Sequence, residues 1–191
     1  MTLLGRLLAN SRADETRAAW HLPNLQGPDL LTVSSEDFTD GGPMPKEHSE
    51  KRTGGGNLSP HLAWTAPPAG TAQLLLVMED LDIPLSKTPV VHTAALIDPT
   101  TDHLAQGALD AEHPGVGVQL MRSTIGRGYH GPGPVKGHGP HRYVFQLFAL
   151  ATPLTALPDG TPVARVRPRK LLPAVTAQVL GRGRLTGTYE R

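Results

Sequence analysis

Residues 126–150 read GRGYHGPGPVKGHGPHRYVFQLFAL, and the fold is best deduced outward from this stretch. Its first part, residues 126–140, alternates glycine and proline too densely to form a helix or a central strand. Its second part, residues 143–150, is apolar and aromatic, which is typical of a buried strand. A loop shaped by proline and glycine therefore delivers His141, Arg142 and Tyr143 to a rigid strand, which is how many binding sites are built.

The composition of the whole chain narrows the class of protein. Its 191 residues are 38% hydrophobic and 18% charged, which indicates a globular domain with a core. The 21 glycines and 19 prolines favour a mainly β class with many turns. A net charge of +1 argues against nucleic acid or an anionic membrane surface as a partner. The absence of cysteine excludes disulfides and thiolate chemistry.

The N-terminal region differs from the rest of the chain. No apolar run approaches the ~20 residues of a membrane span, and the leucine-rich start is too short for a signal peptide. We therefore expect a cytoplasmic protein without an integral membrane segment. The spacing of Leu4, Leu7 and Leu8 predicts a short amphipathic helix. Residues 1–22 are interpreted as an N-terminal helical extension, and residues 23–191 as a single domain.

Hydrophobic runs predict a series of short strands separated by long loops. Strands are expected over residues 30–34, 61–65, 73–79, 90–97, 116–121, 143–150 and 184–190. Apolar positions at helical spacing predict a helix over residues 168–180 that ends at Gly181. Many strands and few helices favour a β-sandwich or Greek-key sheet with peripheral helices.

Polar clusters lie at or near the ends of three predicted strands. Asp80 and Asp82 follow one buried strand, His92 is near the start of the next, and His141 and Tyr143 begin a third. If these strand ends converge, carboxylates and imidazoles share a pocket with the N–H groups of the glycine-rich loop. Such donors favour an anion, and a zwitterion such as phosphoethanolamine would also satisfy the carboxylates.

Each of these residues also has a purely structural interpretation. Asp80, Asp82 and Pro84 are common turn formers, and a lone His92 is more often a half-buried structural histidine than a ligand. A metal site with two His and two Asp fits by ligand type, but no local His-x-His spacing supports it. The GxGxxG match at residues 126–131 precedes prolines, so no helix follows it to bind a pyrophosphate.

Taken in order, these motifs resemble the phosphatidylethanolamine-binding protein (PEBP) family, in particular its bacterial Raf-kinase-inhibitor-like branch. Residues 80–84, Asp-Leu-Asp-Ile-Pro, resemble the first family signature, Asp-Pro-Asp-Ala-Pro. Residues 129–143 resemble the second, Tyr-x-Gly-Pro-x-Pro-Pro-x-Gly-x-Gly-Pro-His-Arg-Tyr. Residues 57–64 are similar to the family pattern Asn-x-Ser-Pro-x-Leu-x-Trp. The resemblance covers the chain from residue 30 to its end.

The resemblance implies a PEBP-like β-sandwich with a large antiparallel Greek-key sheet, a smaller sheet and peripheral helices. It also implies a pocket for small anions or phospholipid head groups, with no cofactor and no metal. The residues that it implies for this pocket are Asp80, Asp82, His92, Tyr129, Gly131, Pro132, His141 and Tyr143. Leu81, Ile83 and Thr93 depart from the family pattern, which makes the first loop bulkier and removes a tryptophan. A cis bond before Pro84 is a further implication.

We therefore expect non-catalytic binding of small anionic or phosphorylated ligands. His92 and His141 would donate to the anion, so binding would weaken above about pH 6.5, where histidine loses its proton. One alternative is a protein-interaction module that inhibits a kinase or protease, as relatives are reported to do. Another is a phosphoesterase that uses His and Asp. The resemblance also implies a cytoplasmic homodimer.

Overall fold

The centre of the molecule is a pair of long antiparallel strands, β3 (Gln73–Asp80) and β7 (His141–Leu150). A computed structural model describes the backbone of residues 3–191 and the side chains in that range, except those of residues 3, 4 and 6. The run Leu-Leu-Leu-Val-Met in β3 is buried on both faces of the sheet. Apolar side chains on both faces of a strand are removed from water only when both faces are covered, so such a run belongs at the centre of a layered fold, where β3 lies.

Two antiparallel sheets form the fold. The remaining strands are β1 (Val33–Ser34), β2 (Leu62–Trp64), β4 (Val90–Ile97), β5 (His103–Leu104), β6 (Val118–Leu120) and β8 (Val179–Tyr189). The large sheet has the order β6-β4-β3-β7-β8, and the small sheet has the order β1-β2-β5. β7 returns over a long connection to lie beside β3, which is a Greek-key arrangement. The predicted mainly β fold with a large and a small sheet is confirmed.

Helices are short and peripheral. The α-helices among residues 3–191 are α1 (Leu3–Leu8) and α2 (Pro168–Leu171). The 3-10 helices are Glu15–Arg17, Ala19–His21, Pro23–Leu25, Lys46–His48, Lys51–Thr53, Val163–Arg165 and Leu172–Ala174. No helix among the described residues has the length and apolar character to cross a membrane.

The predicted helix over residues 168–180 is wrong beyond its first two turns. α2 gives way at once to the 3-10 helix Leu172–Ala174, which contains Pro173, a residue without the N–H that a continuing helix needs. The chain then extends, and Gly181 lies inside β8 opposite Ala149 instead of ending a helix. β8 is accordingly longer than the strand predicted at residues 184–190.

α1 confirms the predicted helix at the N-terminus. Leu7 is 75% exposed, while the side chain of Leu4 lies outside the described residues. Farther along, Ala19 N–H donates to Glu79 Oε2 and Trp20 N–H donates to Gln146 Oε1, both over 2.7 Å. These contacts fix the segment before residue 25 to the large sheet, whereas the domain boundary at residue 22 stays a prediction.

Both faces of the large sheet are covered, and strand alternation decides which side chain meets which layer. Leu76 and Met78 of β3 pack with the small sheet, while Leu75 and Val77 pack with the N-terminal segment and residues 154–179. By the same alternation Asp80 shares a face with Met78 and points toward the small-sheet side. The fold therefore sends the last carboxylate of β3 into the interior between the two sheets.

The predicted cis bond before Pro84 is wrong. Residues 3–191 contain no cis peptide bond. A tertiary X-Pro amide prefers the trans form by about 0.5–1 kcal/mol when its surroundings do not impose the other. Here Ser11 Oγ donates to Pro84 O over 2.8 Å, and Leu81 N–H donates to Arg142 O over 3.0 Å. These contacts fix the loop after β3 to the N-terminal segment and to β7.

Candidate functional site

The site begins with the pairing of three strands. Asp80 lies opposite Tyr143 of β7 on one side and opposite Val90 of β4 on the other. His141 is two positions before Tyr143 and therefore shares its face of the sheet. The ends of β3, β4 and β7 thus converge at one rim, which confirms the expected meeting of distant strand ends.

A β-bulge in β4 turns His92 toward this rim. Thr93 pairs with Met78 and Val91 pairs with Glu79, so His92 is the extra residue between them. Regular alternation would place His92 on the face that carries Ala94, but its ring lies against Tyr143 instead, with centroids 5.3 Å apart and planes at 86°. β-Bulges commonly redirect a side chain in this way beside functional sites.

Asp80 and His141 form a buried pair. His141 Nδ1 lies 2.8 Å from Asp80 Oδ2 and 3.1 Å from Oδ1, and the two residues are 0% and 2% exposed. Because a carboxylate only accepts, the Nδ1 of His141 carries the proton in this contact. Asp80 Oδ1 also accepts the N–H of Asp82 over 2.9 Å, which closes the turn after β3.

The Tyr143 hydroxyl makes no hydrogen bond of good geometry to the residues that the structure describes, although Asp80 and the backbone of Gly133 lie close to it. The side chain is 0% exposed, and its ring stacks on His141 with centroids 6.3 Å apart. Burial, together with the nearby charge of Asp80, raises the pKa of Tyr143 well above its ordinary value. Its O–H therefore remains a neutral donor, and a buried donor left unpaired costs roughly 1–3 kcal/mol.

His92 lies beside the Tyr143 ring and leaves one of its ring nitrogens without a hydrogen bond to a described residue. Its Nδ1 lies 2.7 Å from His130 O and must carry a proton, because a carbonyl oxygen only accepts. Its Nε2 makes no hydrogen bond to any described residue, and the side chain is 6% exposed. Burial lowers the pKa of His92, and the charge of Asp80 only partly opposes this effect.

Asp82 is engaged elsewhere and does not offer a free carboxylate. Arg142 Nε and Nη2 contact its two oxygens at 2.9 and 3.0 Å, and Arg12 Nε lies 3.2 Å from Oδ1. Burial by itself would raise the pKa of Asp82, but the hydrogen bonds and charge of Arg142, aided by Arg12, lower it overall. Asp82 was predicted to line the pocket, and the structure gives it to these arginines instead.

The glycine-proline loop packs closely on residues 48–50. Gly131 N–H donates to Asn57 Oδ1 over 2.8 Å, and a Cβ at Gly131 would collide with the backbone of His48. Pro132 O accepts the N–H of Glu50 over 3.0 Å. Tyr129 donates its O–H to His48 O over 2.9 Å, so it supports the loop and its hydroxyl is not available to a ligand.

Glu50 is a partly exposed carboxylate near this cluster. Its side chain packs against Gly133 of the loop, is 22% exposed and pairs with the exposed Arg52. The charge of Glu50 acts on both His92 and His130. A surface hollow of about 340 Å³ is lined in part by Glu50, Asn57 and His130, and the backbone oxygen of His130 contacts the His92 ring.

Two further side chains belong to the site and were not predicted. His138 is 3% exposed, and its Nδ1 lies 2.7 Å from His141 Nε2. Its Nε2 lies 2.6 Å from Arg12 Nη1. Both ring nitrogens of His141 are therefore occupied, so His141 is not free to donate to a ligand as was expected. His138 is detectable as a second histidine in the loop, whereas the sequence carries no signal for Arg12.

Among residues 3–191 no group of three or more histidine, aspartate or glutamate side chains has a geometry that could hold a metal ion. The two aspartates that were considered as ligands are instead paired, Asp80 with His141 and Asp82 with Arg142.

Comparisons with known proteins agree with this architecture. A sequence profile described as phosphatidylethanolamine-binding protein matches residues 34–190. A UPF0098 protein of Mycobacterium tuberculosis is 39% identical over 173 residues, which are 88% of this chain and 75% of that protein. The UPF0098 protein YbhB of Escherichia coli is 34% identical over 142 residues, which are 71% of this chain and 88% of that protein.

Among solved structures, Escherichia coli YbcL, described as a new member of the mammalian PEBP family, superimposes with a TM-score of 0.71 at 26% identity. The match covers 84% of this chain and 98% of that chain. The profile match extends from β1 to the end of β8 and so includes every strand that builds the site. The chain belongs to the phosphatidylethanolamine-binding protein family.

Proposed function

We propose that this protein binds small phosphorylated ligands without catalysing a reaction, and that the phosphoryl group docks between His92 and Tyr143. The observation that carries the proposal is the Tyr143 hydroxyl, which is buried, makes no hydrogen bond of good geometry to a described residue and belongs to a ring in contact with the ring of His92. A phosphoryl oxygen is a strong acceptor for such a hydroxyl, and the contact removes the cost of the unpaired donor.

The proton on His92 Nδ1 defines which phosphoryl group fits. Neutral His92 offers an Nε2 lone pair, which accepts the P–O–H proton of a monoanionic phosphate. Because burial lowers the pKa of His92, its charged form contributes only below about pH 6.5. Phosphate monoesters lose their second proton near pH 6, so both effects make binding tighter in mild acid and weaker in alkali. Ligand binding is therefore still expected to weaken as the pH rises, as the sequence predicted, but over a lower pH range than was predicted.

The carboxylates around the site favour a zwitterion over inorganic phosphate. Asp80 and Glu50 both act on His92 electrostatically, and would repel a bare dianion. A phosphoethanolamine head group carries an ammonium that can lie against them while its phosphoryl group meets Tyr143. The same charges that weaken binding of inorganic phosphate therefore do not weaken binding of the zwitterion.

The arrangement of the polar groups supports binding without catalysis. No Ser or Thr hydroxyl among residues 3–191 is hydrogen-bonded to a histidine ring, and the chain has no cysteine. His141, which otherwise has the position of a base, uses both ring nitrogens for Asp80 and His138. Activated nucleophiles require a hydroxyl or thiol beside a base, and the described site lacks that pair.

The test compares two buried tyrosines. Calorimetric titration with phosphoethanolamine at pH 6.0 measures the affinity of the wild-type protein, Tyr143→Phe and the control Tyr129→Phe. We expect Tyr143→Phe to weaken binding by roughly 10-fold or more, since a hydrogen bond to a charged group contributes about 1.5–3 kcal/mol. Its stability should be unchanged or higher, because an unpaired hydroxyl is removed.

Tyr129→Phe should behave in the opposite way. It loses the bond to His48 O and so about 1 kcal/mol of stability, while its affinity for phosphoethanolamine stays at the wild-type value. Equal affinity in Tyr143→Phe and wild type would refute the docking of the phosphoryl group at Tyr143. The inhibition of a kinase or protease, the homodimer and the cytoplasmic location stay predictions.

A further inference from the structure

His138 Nε2 has two neighbours that make opposite demands on its proton. Arg12 Nη1, which can only donate, lies 2.6 Å away, and Ser11 O, which can only accept, lies 3.0 Å away. Arg12 can hydrogen-bond to Nε2 only when that nitrogen is unprotonated, and Ser11 O can do so only when it is protonated. The segment before β1 therefore holds a partner for each of the two tautomers of His138.

The proton on the opposite nitrogen is tied to His141. His138 Nδ1 and His141 Nε2 lie 2.7 Å apart, so one proton is shared between them. When the pair is neutral, Asp80 holds the Nδ1 proton of His141, and His141 Nε2 must accept from His138 Nδ1. His138 Nε2 is then bare and accepts from Arg12.

One added proton reverses this chain. A proton from solvent binds His138 Nε2, and the Nδ1–H bond of His138 breaks as that proton forms a new bond to His141 Nε2. His141 becomes a cation held by Asp80, and His138 stays neutral with its proton on Nε2. Its N–H now donates to Ser11 O, while Arg12 Nη1 faces a donor and loses one of its acceptors.

We propose that His138 is a positioning residue that couples the charge of the pocket to the N-terminal segment, because a proton on the His138–His141 pair transfers His138 from Arg12 to Ser11 and removes the contact between Arg12 and His138. This coupling rests on the proposed function in one respect: an anion bound at His92 and Tyr143 favours that proton. Loss of this contact then favours ligand binding and ligand binding favours its loss, as linkage requires.

The groups that face the pair come from several elements. Asp80 on β3, His92 on β4 and Tyr143 on β7 surround His141. Arg12, with Asp82 behind it, faces His138. The loop before His138 is held from the C-terminal side, where Gly137 N–H donates to the backbone oxygen of Arg191 and the Arg191 guanidinium contacts Pro134 O. Arg12 is the cation that opposes the added proton at closest range.

Loss of the contact between Arg12 and His138 would loosen α1 as well. A Cβ on Gly5 would collide with the backbone of Lys136 and Gly137, so α1 packs directly on the loop that carries His138. Arg12 itself holds Ala9 O and Ser11 O through Nη1, each over 3.0 Å. Asp14 N–H remains bonded to Lys87 O, which limits the loosened part to the residues before Asp14.

The experiment follows the imidazole nitrogens by NMR between pH 8 and 5, without ligand, in wild type, Arg12→Met and the control Arg17→Met. Arg17 is an exposed arginine that pairs with Asp14 and does not contact His138. In wild type we expect the proton of His138 to move from Nδ1 to Nε2 as His141 gains its second proton. In Arg12→Met the midpoint should rise by about 1 pH unit, since a nearby cation is removed. Arg17→Met should match wild type.

A second arm adds inorganic phosphate at a fixed pH of 7.0 and constant ionic strength. We expect the His138 tautomer to reverse and trypsin cleavage after Arg12 to accelerate at least 3-fold in wild type, but not in His138→Gln. Phosphate that binds without changing the His138 tautomer would refute the coupling. In the ligand-free titration, an equal midpoint of the tautomer change in Arg12→Met and wild type would also refute it. Absence of phosphate binding would count against the proposed function alone, because the ligand-free arm stands by itself.

Discussion

Asp80 Oδ2 and His141 Nδ1 lie 2.8 Å apart, although 61 positions separate the two residues in the chain. The register of β3 against β7 produces this contact, since it places Asp80 opposite Tyr143. Their side chains are 3% and 0% exposed, so the pair lies in the protein interior. A hydrogen bond there is strong, and a partner left alone is costly. Asp80 therefore fixes the ring of His141 and, through it, the ring of His138.

Replacing Asp80 with asparagine removes the charge of this side chain while nearly preserving its shape. Asp80→Asn keeps an oxygen for His141 but removes the carboxylate that faces His141 and His92. We expect a loss of about 1–3 kcal/mol in the free energy of unfolding, measured by urea denaturation. Calorimetry should also show that phosphoethanolamine loses most of its advantage over inorganic phosphate. An unchanged advantage would mean that Asp80 does not receive the ammonium group.

Asp82→Asn gives a matched comparison on the neighbouring carboxylate. It weakens the contact with Arg142, so we expect a loss of about 1–2 kcal/mol in stability at pH 7, with no change in ligand preference. Because Arg142 holds the pKa of Asp82 below its usual value, this stability is present above about pH 4 and is lost as the pH falls through the lowered pKa. The gap between variant and wild type should therefore close in acid, and a gap that widened there would contradict this account.

Long hydrophobic runs made the central strands predictable. The strand predicted at residues 90–97 is β4 in full, and β3 extends only one residue beyond its predicted end. Such runs are buried on both faces of the sheet. A continuous apolar run therefore predicts a strand even when the elements that pack against it are unknown. β5, with two residues, has no period of its own and was missed. The helical spacing at residues 168–180 was misleading because Val179 belongs to β8.

The site was predictable only in part, because motifs specify residue types better than contacts. The sequence placed Asp80, His92 and His141 near the ends of strands that could converge, but it showed neither the convergence nor the bulge that aims His92. The contacts of Asp82 with Arg142 and Arg12 were not predicted, because β3 ends at Asp80 and strand alternation no longer applies two residues later. Arg12 reaches His138 across 126 positions, a tertiary contact with no local pattern to reveal it.

Glu50 offers a direct way to change ligand preference. Its carboxylate lies at the approach to His92, where it repels a phosphate and attracts an ammonium group. We expect Glu50→Gln to raise the affinity for inorganic phosphate roughly 3- to 10-fold at low salt and to leave the affinity for phosphoethanolamine nearly constant. Calorimetry with both ligands measures this ratio. Arg52→Gln is the control, since it removes the partner of Glu50 and keeps the carboxylate.

The gain in Glu50→Gln should fall as ionic strength increases, because Glu50 is partly exposed and its charge is screened. Phosphate affinity that does not change in Glu50→Gln would place the phosphoryl group away from this approach.

Glu79 carries the opposite pH dependence to Asp82. It is 0% exposed, and burial raises its pKa despite contacts with Gln146, Ala19 N–H and Arg169. A raised pKa means that the folded protein holds a proton which the unfolded chain has released. The contribution of Glu79 is thus fully present below the unfolded pKa of about 4.3 and is lost as the pH rises through the folded value.

Glu79→Gln should therefore gain stability relative to wild type as the pH rises from 4 to 8. Glutamine keeps an acceptor for Ala19 N–H and Gln146, and the half-exposed Arg169 can turn to solvent. Urea denaturation at several pH values measures the difference in unfolding free energy between Glu79→Gln and wild type. This difference isolates Glu79, because all other groups titrate in both proteins. Glu79→Ala leaves two buried donors unpaired and should lose about 2–6 kcal/mol at every pH, at roughly 1–3 kcal/mol for each donor. A Glu79→Gln difference that stayed constant with pH would show that the folded protein leaves the titration of Glu79 unperturbed.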